Sequence, residues 1–303
     1  MINLGYVSIA TCLDVTTSTT LTYTEFCKNK DYNKLDSIIK SNLEALSNII
    51  DYNIKNNIHF YRLTSKLIPL ATKVKVDYIK KYKKYYDEIG KKIEKNNIRI
   101  DVHPDQFCVL NSTKKEVLDN SFEILKYHYN ILEALHIKNK IIVLHVGSSV
   151  FGKTNSIKRF INNFNKLPIY LRKCIAIEND DKVFNVNDVL KISKVTSIPV
   201  VLDYHHHLCN KSDFSFADIF NSWGNRRVKM HFSSPKNKRD YRSHNEYING
   251  DDFINFIEIL KKYDRDIDIM LEAKGKDDSL FRLVRYIKYK TDYEFIDDTT
   301  FLV

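Results

Sequence analysis

The feature that most constrains the fold of this chain is a repeated alternation between short β-branched runs and longer segments with helical periodicity. Val, Ile and aromatic residues are typical of strands, whereas apolar residues three and four positions apart form one face of a helix. Strands that alternate with helices indicate a parallel sheet with right-handed crossovers. Eight strands are predicted in this way, at 3–9, 58–63, 98–102, 140–146, 174–178, 199–203, 228–232 and 267–271.

The segments between these strands carry the helical stripes. Leu35, Leu43 and Leu46, for example, fall on one face of a helix. Eight units in 303 residues average about 38 residues each, which is within the range of a (β/α)8 barrel. The competitor, a doubly wound open sheet, is disfavoured because neither G-x-G-x-x-G nor G-x-x-x-x-G-K-[ST] follows any predicted strand. We therefore predict an α/β fold, with one TIM-barrel domain over residues 1–303.

Charge and composition restrict the functional classes. The chain has 48 Lys and Arg against 38 Asp and Glu, a formal net charge of +10, which favours a polyanionic partner such as nucleic acid or an anionic membrane surface. Its five cysteines include no C-x-x-C pair, so neither a disulfide framework nor a zinc ribbon is predicted. The apolar runs are too short to cross a bilayer, and the first residues lack the charged start of a signal peptide. We expect a cytoplasmic monomer without membrane association.

Potential metal ligands stand at the ends of six successive predicted strands. In a barrel of this type the carboxyl ends of the strands meet at one face, where the chemistry takes place. Imidazole together with carboxylate suits Zn²⁺, Mn²⁺ or Fe²⁺ better than Ca²⁺. The six residues are His103, His145, Glu178, Asp203, His231 and Glu272.

A single His or Glu after a strand is more often a solvated loop residue or a satisfied core residue than a ligand. Six such residues at one face are harder to explain without metal, because buried carboxylates close to one another repel unless cations neutralise them. Six ligands also exceed what one tetrahedral ion requires. The pattern therefore predicts a cluster of two or three divalent ions at the carboxyl ends of the strands.

Further histidines extend this set. In the run His205, His206 and His207, neighbouring residues of an extended segment point to opposite sides, so we take His206 as a ligand and its neighbours as packing or supporting residues. His244 lies in a polar loop after the seventh strand. It could bind a further ion together with His206.

Lys229 precedes His231 by two residues and should face the same interior side of the barrel. One interpretation is an ion pair with the carboxylates. The other is a lysine whose pKa is depressed beside the metals, which favours carboxylation by carbon dioxide.

Several short segments that contain these residues occur in a specific order along nearly the whole chain. The most specific are His103-Pro-Asp-Gln106-Phe107 and Glu178-Asn-Asp-Asp181. The others lie at 4–7, 60–70, 144–147, 203–207, 229–234 and 271–274. As an ordered set they resemble the ultraviolet damage endonuclease family, whose metal cluster is related to that of the endonuclease IV family.

The resemblance implies a metal-dependent barrel that nicks duplex DNA immediately 5′ to pyrimidine photoproducts, both cyclobutane dimers and 6-4 photoproducts, and leaves a 3′-hydroxyl and a 5′-phosphate. Abasic sites are a further candidate substrate. Manganese is the expected ion, with zinc and magnesium as alternatives. The implied ligand sets are His103, His145 and Glu178 for one ion, a bridging Glu178 with Asp203, His231 and Glu272 for a second, and His206 with His244 for a third.

Other roles follow from the same resemblance. Lys229 falls at the carboxylated lysine of the family, Gln106 and Phe107 at the pair that enters the damaged duplex, and Tyr6 at an aromatic residue of the DNA-facing surface. We expect further DNA contacts from Arg62, Lys236 and Arg239. The predicted catalytic residues are Glu178, Lys229, His231, Glu272 and Lys73.

Two positions depart from the family pattern. Lys73 stands where the family commonly has His, and Ala10 stands where it often has Asn. A lysine can contact phosphate but cannot act as a neutral imidazole, so reaction rate or lesion range should differ from that of typical members.

Three alternative functions fit the same strand-end pattern. They are an abasic-site enzyme like endonuclease IV, a metal-dependent sugar isomerase, and a DNA-binding barrel that no longer cuts. The pattern of ligands alone does not separate a nuclease from an isomerase.

Overall fold

The computed structural model describes all 303 residues and contains the eight predicted parallel strands. They are β1 (Ile2–Val7), β2 (Phe60–Leu63), β3 (Arg99–Val102), β4 (Ile142–His145), β5 (Ile175–Glu178), β6 (Val200–Asp203), β7 (Val228–Phe232) and β8 (Ile267–Leu271). Each strand pairs with the next along the chain, and β1 also pairs with β8, which closes the barrel. The predicted (β/α)8 fold class is confirmed.

Twelve helices surround the barrel or cover its ends. They are α1 (Tyr23–Asn29), α2 (Tyr32–Lys55), α3 (Tyr78–Lys81), α4 (Lys83–Lys95), α5 (Lys115–Ala134), α6 (Lys153–Lys166), α7 (Ile169–Arg172), α8 (Val186–Thr196), α9 (Tyr204–Cys209), α10 (Phe216–Trp223), α11 (Gly250–Lys261) and α12 (Lys276–Lys290). On α2 the predicted stripe is buried, with Leu35, Leu43 and Leu46 all at most 3% exposed. None of the helices combines the length and the apolar character that crossing a bilayer requires.

Six of the eight strands differ from their predicted limits by one or two residues. β1 ends at Val7 and not at residue 9, because Ser8 has a positive φ of 71° and turns the chain out of the sheet. The chain also ends in an unpredicted hairpin, β9 (Glu294–Phe295) and β10 (Thr300–Leu302), and β10 pairs antiparallel with β1. Strands of two or three residues are too short to show a periodicity in the sequence.

A buried histidine outside the barrel end should make stability depend on pH. Burial on α5 lowers the pKa of His128 to about 3, against about 6.5 in an unfolded chain. Between these values the unfolded state binds a proton that the folded state does not, so stability falls as pH falls, by up to about 1.4 kcal/mol per pH unit. Between about pH 4 and pH 6, we expect His128→Gln to reduce the slope of unfolding free energy against pH by about 1.4 kcal/mol per pH unit, which corresponds to one bound proton.

The measurement is urea unfolding at a series of pH values. Lys126→Gln, which changes an exposed residue on the same helix, should leave the slope unchanged. An unaltered slope in His128→Gln would show that this histidine is not the group that titrates.

Candidate functional site

The first predicted ligand set comes together at the carboxyl ends of β3, β4 and β5. His145 and Glu178 are the last residues of their strands and lie opposite each other in the parallel register, while His103 directly follows β3. Ligand atoms of the three side chains lie within 4.8 Å of one another. His103 Nε2 is 2.8 Å from Glu178 Oε2. Parallel register therefore places His145 beside Glu178, and the imidazole of His103 reaches Glu178 from the end of β3.

The second predicted set shares Glu178 and continues around the barrel. Asp203 ends β6 opposite His231 of β7, and Glu272 directly follows β8. Ligand atoms of these four residues also lie within 4.8 Å of one another. The second oxygen of Glu178, Oε1, is 2.8 Å from His231 Nδ1. The two oxygens of Glu178 thus face different groups, as a bridging carboxylate requires.

Burial and mutual charge set the protonation of this cluster. Burial alone would raise the pKa of Glu178, but His231, His145 and His103 outweigh it and hold that pKa well below its ordinary value. Burial raises the pKa of Asp203 to about 7. It also lowers the pKa of His231 to about 3, which leaves a neutral imidazole suited to metal binding.

Two unpaired polar atoms show that the cluster fits divalent ions. Asp203 Oδ2 and His145 Nδ1 are buried and have no hydrogen-bond partner. An unpaired carboxylate oxygen in a buried site is costly, and a cation would satisfy it. Histidine and carboxylate ligands suit Mn²⁺ and Zn²⁺.

The histidine run is helical, which corrects the extended geometry expected for it. Helix α9 begins after Asp203, whose Oδ1 caps it by accepting a hydrogen bond from His206 N at 2.7 Å. Nδ1 of His206 donates to Asn179 O at 3.1 Å, so Nε2 remains free. Burial lowers the pKa of His206, but Asp203 and Glu178 outweigh it and raise that pKa to about 9.

The third ion site predicted from His206 and His244 stays a prediction. The two rings lie 6.3 Å apart, and His244 Nδ1 is 4.0 Å from Glu272 Oε2. Both therefore border the second group without joining it. Of their neighbours, His205 is fully buried, as expected for a packing residue.

A buried ion pair that was not predicted from the sequence lies beneath the ligands. Lys229 is fully buried and forms an ion pair with Asp101, which is also fully buried. Burial, and then the charges of Arg62 and Arg99, hold the pKa of Lys229 well below its usual range. Asp101 precedes His103 by two residues, so the alternation that placed Lys229 inside the barrel also indicated this carboxylate.

Arg62, from which we expect a DNA contact, lies buried within the cluster. Its side chain is buried, Nη1 donates to Glu272 Oε1 at 2.5 Å, and Nη2 is 2.5 Å from His231 Nε2. Burial would raise the pKa of Glu272, but the Arg62 charge lowers it below its ordinary value. The guanidinium group lines a cavity of about 740 Å³ beside the cluster, and the DNA contact expected from Arg62 stays a prediction.

Gln106 and Phe107 occupy an exposed loop after β3. Phe107 is 66% exposed, and its backbone N–H donates to Asp105 Oδ1 in a tight turn. Both residues line a second cavity of about 660 Å³ that also reaches His145 and His206. The loop therefore presents an unsupported aromatic ring beside the candidate metal ligands.

The DNA-facing position predicted for Tyr6 is wrong. Its side chain is fully buried, the hydroxyl donates to Asn53 Oδ1 of α2 at 2.8 Å, and the ring packs 5.2 Å from that of Tyr61. Residue 6 faces the helical layer, because neighbouring residues of β1 alternate between the barrel interior and the helices.

The predicted basic residues are exposed. Lys236 and Arg239 lie in the loop after β7, where Lys236 Nζ is 3.5 Å from Asp240. Lys73 is exposed after β2 and lines neither cavity beside the cluster. Lys274 and Lys276, which the sequence reading did not assign to the site, line the 740 Å³ cavity.

Metal binding should be visible in thermal unfolding. We expect Mn²⁺ to raise the unfolding temperature, because ions that bind only the folded cluster stabilise it by about 2.7 kcal/mol per site at a hundredfold excess over Kd. Glu178→Gln should lose most of this shift. Glu246→Gln, on the exposed loop that follows His244, is the matched control and should retain it. Absence of any shift with Mn²⁺, Zn²⁺ and Mg²⁺ would contradict the metal assignment.

Comparison with known proteins places the chain among related sequences and structures. A family model described as UV-endonuclease UvdE matches residues 2–300. The UV DNA damage endonuclease of Bacillus cereus strain B4264 is 37% identical over 297 residues, which covers 94% of each chain. The crystal structure of SacUVDE matches with a TM-score of 0.88 at 36% identity and covers 95% of this chain and 99% of that one. Endonuclease IV from Thermus thermophilus has a TM-score of 0.58 at 10% identity over 95% of this chain and 99% of that one, a likeness of fold alone.

Proposed function

We propose a specific reaction for this chain, which belongs to the UV-endonuclease UvdE family and is therefore an endonuclease of UV-damaged DNA. It nicks the duplex immediately 5′ to the lesion in a metal-dependent reaction. The lesions are cyclobutane pyrimidine dimers and 6-4 photoproducts, with abasic sites as a further substrate, and the products carry a 3′-hydroxyl and a 5′-phosphate. The observation that carries the proposal is the pair of ligand groups joined by Glu178.

The chemistry follows from what the cluster can hold. His103, His145 and Glu178 would hold one divalent ion. The second ligand group, Glu178, Asp203, His231 and Glu272, would hold another. We propose Mn²⁺ as the ion. His206 and His244 would help to hold a third. Bound divalent ions supply positive charge that stabilises the negative charge developing on a phosphodiester as it is cut.

Arg62 is well placed to bind a phosphate oxygen. Its guanidinium is held by Glu272, a proposed metal ligand, on the floor of the 740 Å³ cavity. When Glu272 has a metal as its partner, the guanidinium can turn a donor toward the phosphodiester, and guanidinium–phosphate hydrogen bonds are among the stronger ones. We assign the more distant phosphate contacts to Lys73, Lys236 and Arg239.

Lesion recognition is assigned to the loop after β3. Photoproducts weaken the duplex, so extrusion of the damaged nucleotides costs less free energy than extrusion of a normal pair. Phe107 and Gln106 would fill the opened stack, since both are exposed beside the 660 Å³ cavity.

Carboxylation of Lys229 is the second role proposed for this buried residue. A lysine whose pKa is held low presents a neutral amine, which is the form that adds carbon dioxide. Native mass spectrometry in bicarbonate buffer should show a mass increase of one carbon dioxide that is absent from Lys229→Met. An unmodified mass for the native chain would leave Lys229 as the ion-pair partner of Asp101.

The test of the function is a cutting assay with Mn²⁺ and three duplexes. One duplex carries a cyclobutane dimer, one an abasic site, and one no damage. We expect a nick 5′ to the dimer and none in the undamaged duplex. If only the abasic duplex is cut, the protein acts like endonuclease IV. If none is cut and the protein contains no metal, the nuclease assignment fails.

A further inference from the structure

A third cavity lies at the opposite end of the barrel from the metal ligands and plays no part in the proposed reaction. It has a volume of about 600 Å³, within the range of small-molecule sites. Its walls come from the connections that lead into β3, β4 and β7, together with Asn3 of β1 and Asp268 of β8.

The cavity borders strands β3 and β4 where they pair least. Strands β3 and β4 pair at a single register position, Val102 opposite Ile142. Toward the amino ends of these strands, Ile100 and Ile141 line the opening. The space is therefore bounded by buried strand residues and is part of the barrel architecture.

Three arginines line this cavity, Arg99, Arg226 and Arg227, and two of them share one buried carboxylate. Asp268, only 1% exposed, accepts hydrogen bonds from Arg99 Nη1 at 2.7 Å and from Arg227 Nε at 2.5 Å. Arg226 forms no ion pair, and its only side-chain hydrogen bond runs from Nε to Trp223 O at 3.4 Å. Arg227 also has the exposed Asp266 at 3.5 Å from its Nη1, so Arg226 is the arginine of the three that has no carboxylate partner.

The guanidinium groups also keep donors without acceptors. Nη2 of Arg227 is buried and has no hydrogen-bond partner. The terminal nitrogens of the exposed Arg226 donate to no protein group. Trp223 holds two of the arginines in place, since the Arg226 and Arg99 guanidinium carbons lie 5.5 and 5.6 Å from the centre of its ring. The indole is itself fixed by a 2.7 Å hydrogen bond from Nε1 to Val200 O.

We propose that this cavity binds a phosphate-bearing small molecule of nucleotide size, with Arg226 and Arg227 donating to its phosphate oxygens. A guanidinium group matches the geometry of a phosphate with paired N–H donors. A phosphate is favoured over a single carboxylate because it offers three terminal oxygens to several unmet donors. The neutral polar side chains Asn3, Asn139 and Asn225, which also line the cavity, can bind the remainder of such a ligand.

The test is calorimetric titration of the Mn²⁺-loaded, 303-residue protein with ADP, with adenosine as the uncharged control and citrate as a carboxylate competitor. We expect ADP to bind and adenosine not to bind. Arg226→Ala and the milder Arg226→Gln should each weaken ADP binding by about 10- to 100-fold, the loss expected for a charge-assisted contact. Arg285→Ala, which changes an exposed arginine on α12 outside the cavity, should leave binding unchanged.

Three results would overturn the proposal. One is ADP binding that both Arg226 variants retain and that Glu178→Gln abolishes, because the phosphates would then lie at the metal cluster. Another is citrate binding tighter than ADP, which would assign the cavity to carboxylates. The last is no binding of ADP at millimolar concentration to a native protein that still cuts damaged DNA, an outcome that leaves the proposed nuclease function standing.

Discussion

Replacement of Glu178 by Gln is expected to reduce cutting of a dimer-containing duplex by about a thousandfold while binding of the same duplex persists. The carboxylate is fully buried and is the only residue common to both ligand groups. An amide of the same shape keeps the packing but removes the charge that pairs with the histidines and would bridge two ions. The loss should therefore appear in catalysis and not in folding.

Single-turnover cutting rates and equilibrium binding to the dimer duplex separate these effects. Glu246→Gln should cut at the native rate, because this exposed carboxylate lies outside both ligand groups. An unfolding curve confirms that each variant is folded. Cutting by folded Glu178→Gln at the native rate would remove this residue from the cluster and with it the bridged arrangement.

Truncation of Phe107 to Ala is expected to weaken binding to the dimer duplex by about 10- to 100-fold. Stacking of a base on an aromatic side chain contributes about 1–3 kcal/mol, and each 1.4 kcal/mol is tenfold in affinity. The side chain is 66% exposed, so its removal should leave the stability of the protein nearly unchanged. Affinity for undamaged duplex should be affected much less, because that affinity comes from phosphate contacts.

The informative quantity is the ratio of affinities for damaged and undamaged duplex at one fixed salt concentration. Tyr289→Ala serves as the control, since Tyr289 is 82% exposed near the carboxyl end of α12. It should preserve the ratio. An equal loss of affinity for both duplexes in Phe107→Ala would make this residue a general DNA contact and not a lesion probe.

The fold and the convergence of six potential ligands on one face followed from local pattern, whereas their division into two groups was implied by the family resemblance. β-branched runs separated by helical stripes indicated the barrel. Because the carboxyl ends of its parallel strands meet at one face, His145 and Glu178 were expected at that face, and they lie opposite each other there. The inward position of Lys229 followed from its spacing to His231 in the same way. The inward position of Asp101 could have been predicted in the same way, from its two-residue spacing to His103.

Other residues were misplaced because their positions depend on what packs against them. Tyr6 lies on a strand, but only the arrival of α2 and Asn53 decides that its ring is covered. The burial of Arg62 was not predicted either, because it depends on the charge of Glu272, which arrives from the end of β8. In the histidine run, the cap formed by Asp203 turns an apparently extended segment into the helix α9.

The sequence by itself determined the barrel, the order of its strands and the residues that end them, because alternation and parallel pairing are repeated local rules. Tertiary structure alone decided which charges share a buried space. Asp101 beneath Lys229, Arg62 against Glu272 and the arginines around Asp268 each join residues from different strands, and no spacing along one strand reports the distance to another. The physical reason is that burying a charge is favourable only where an opposite charge arrives from elsewhere in the chain.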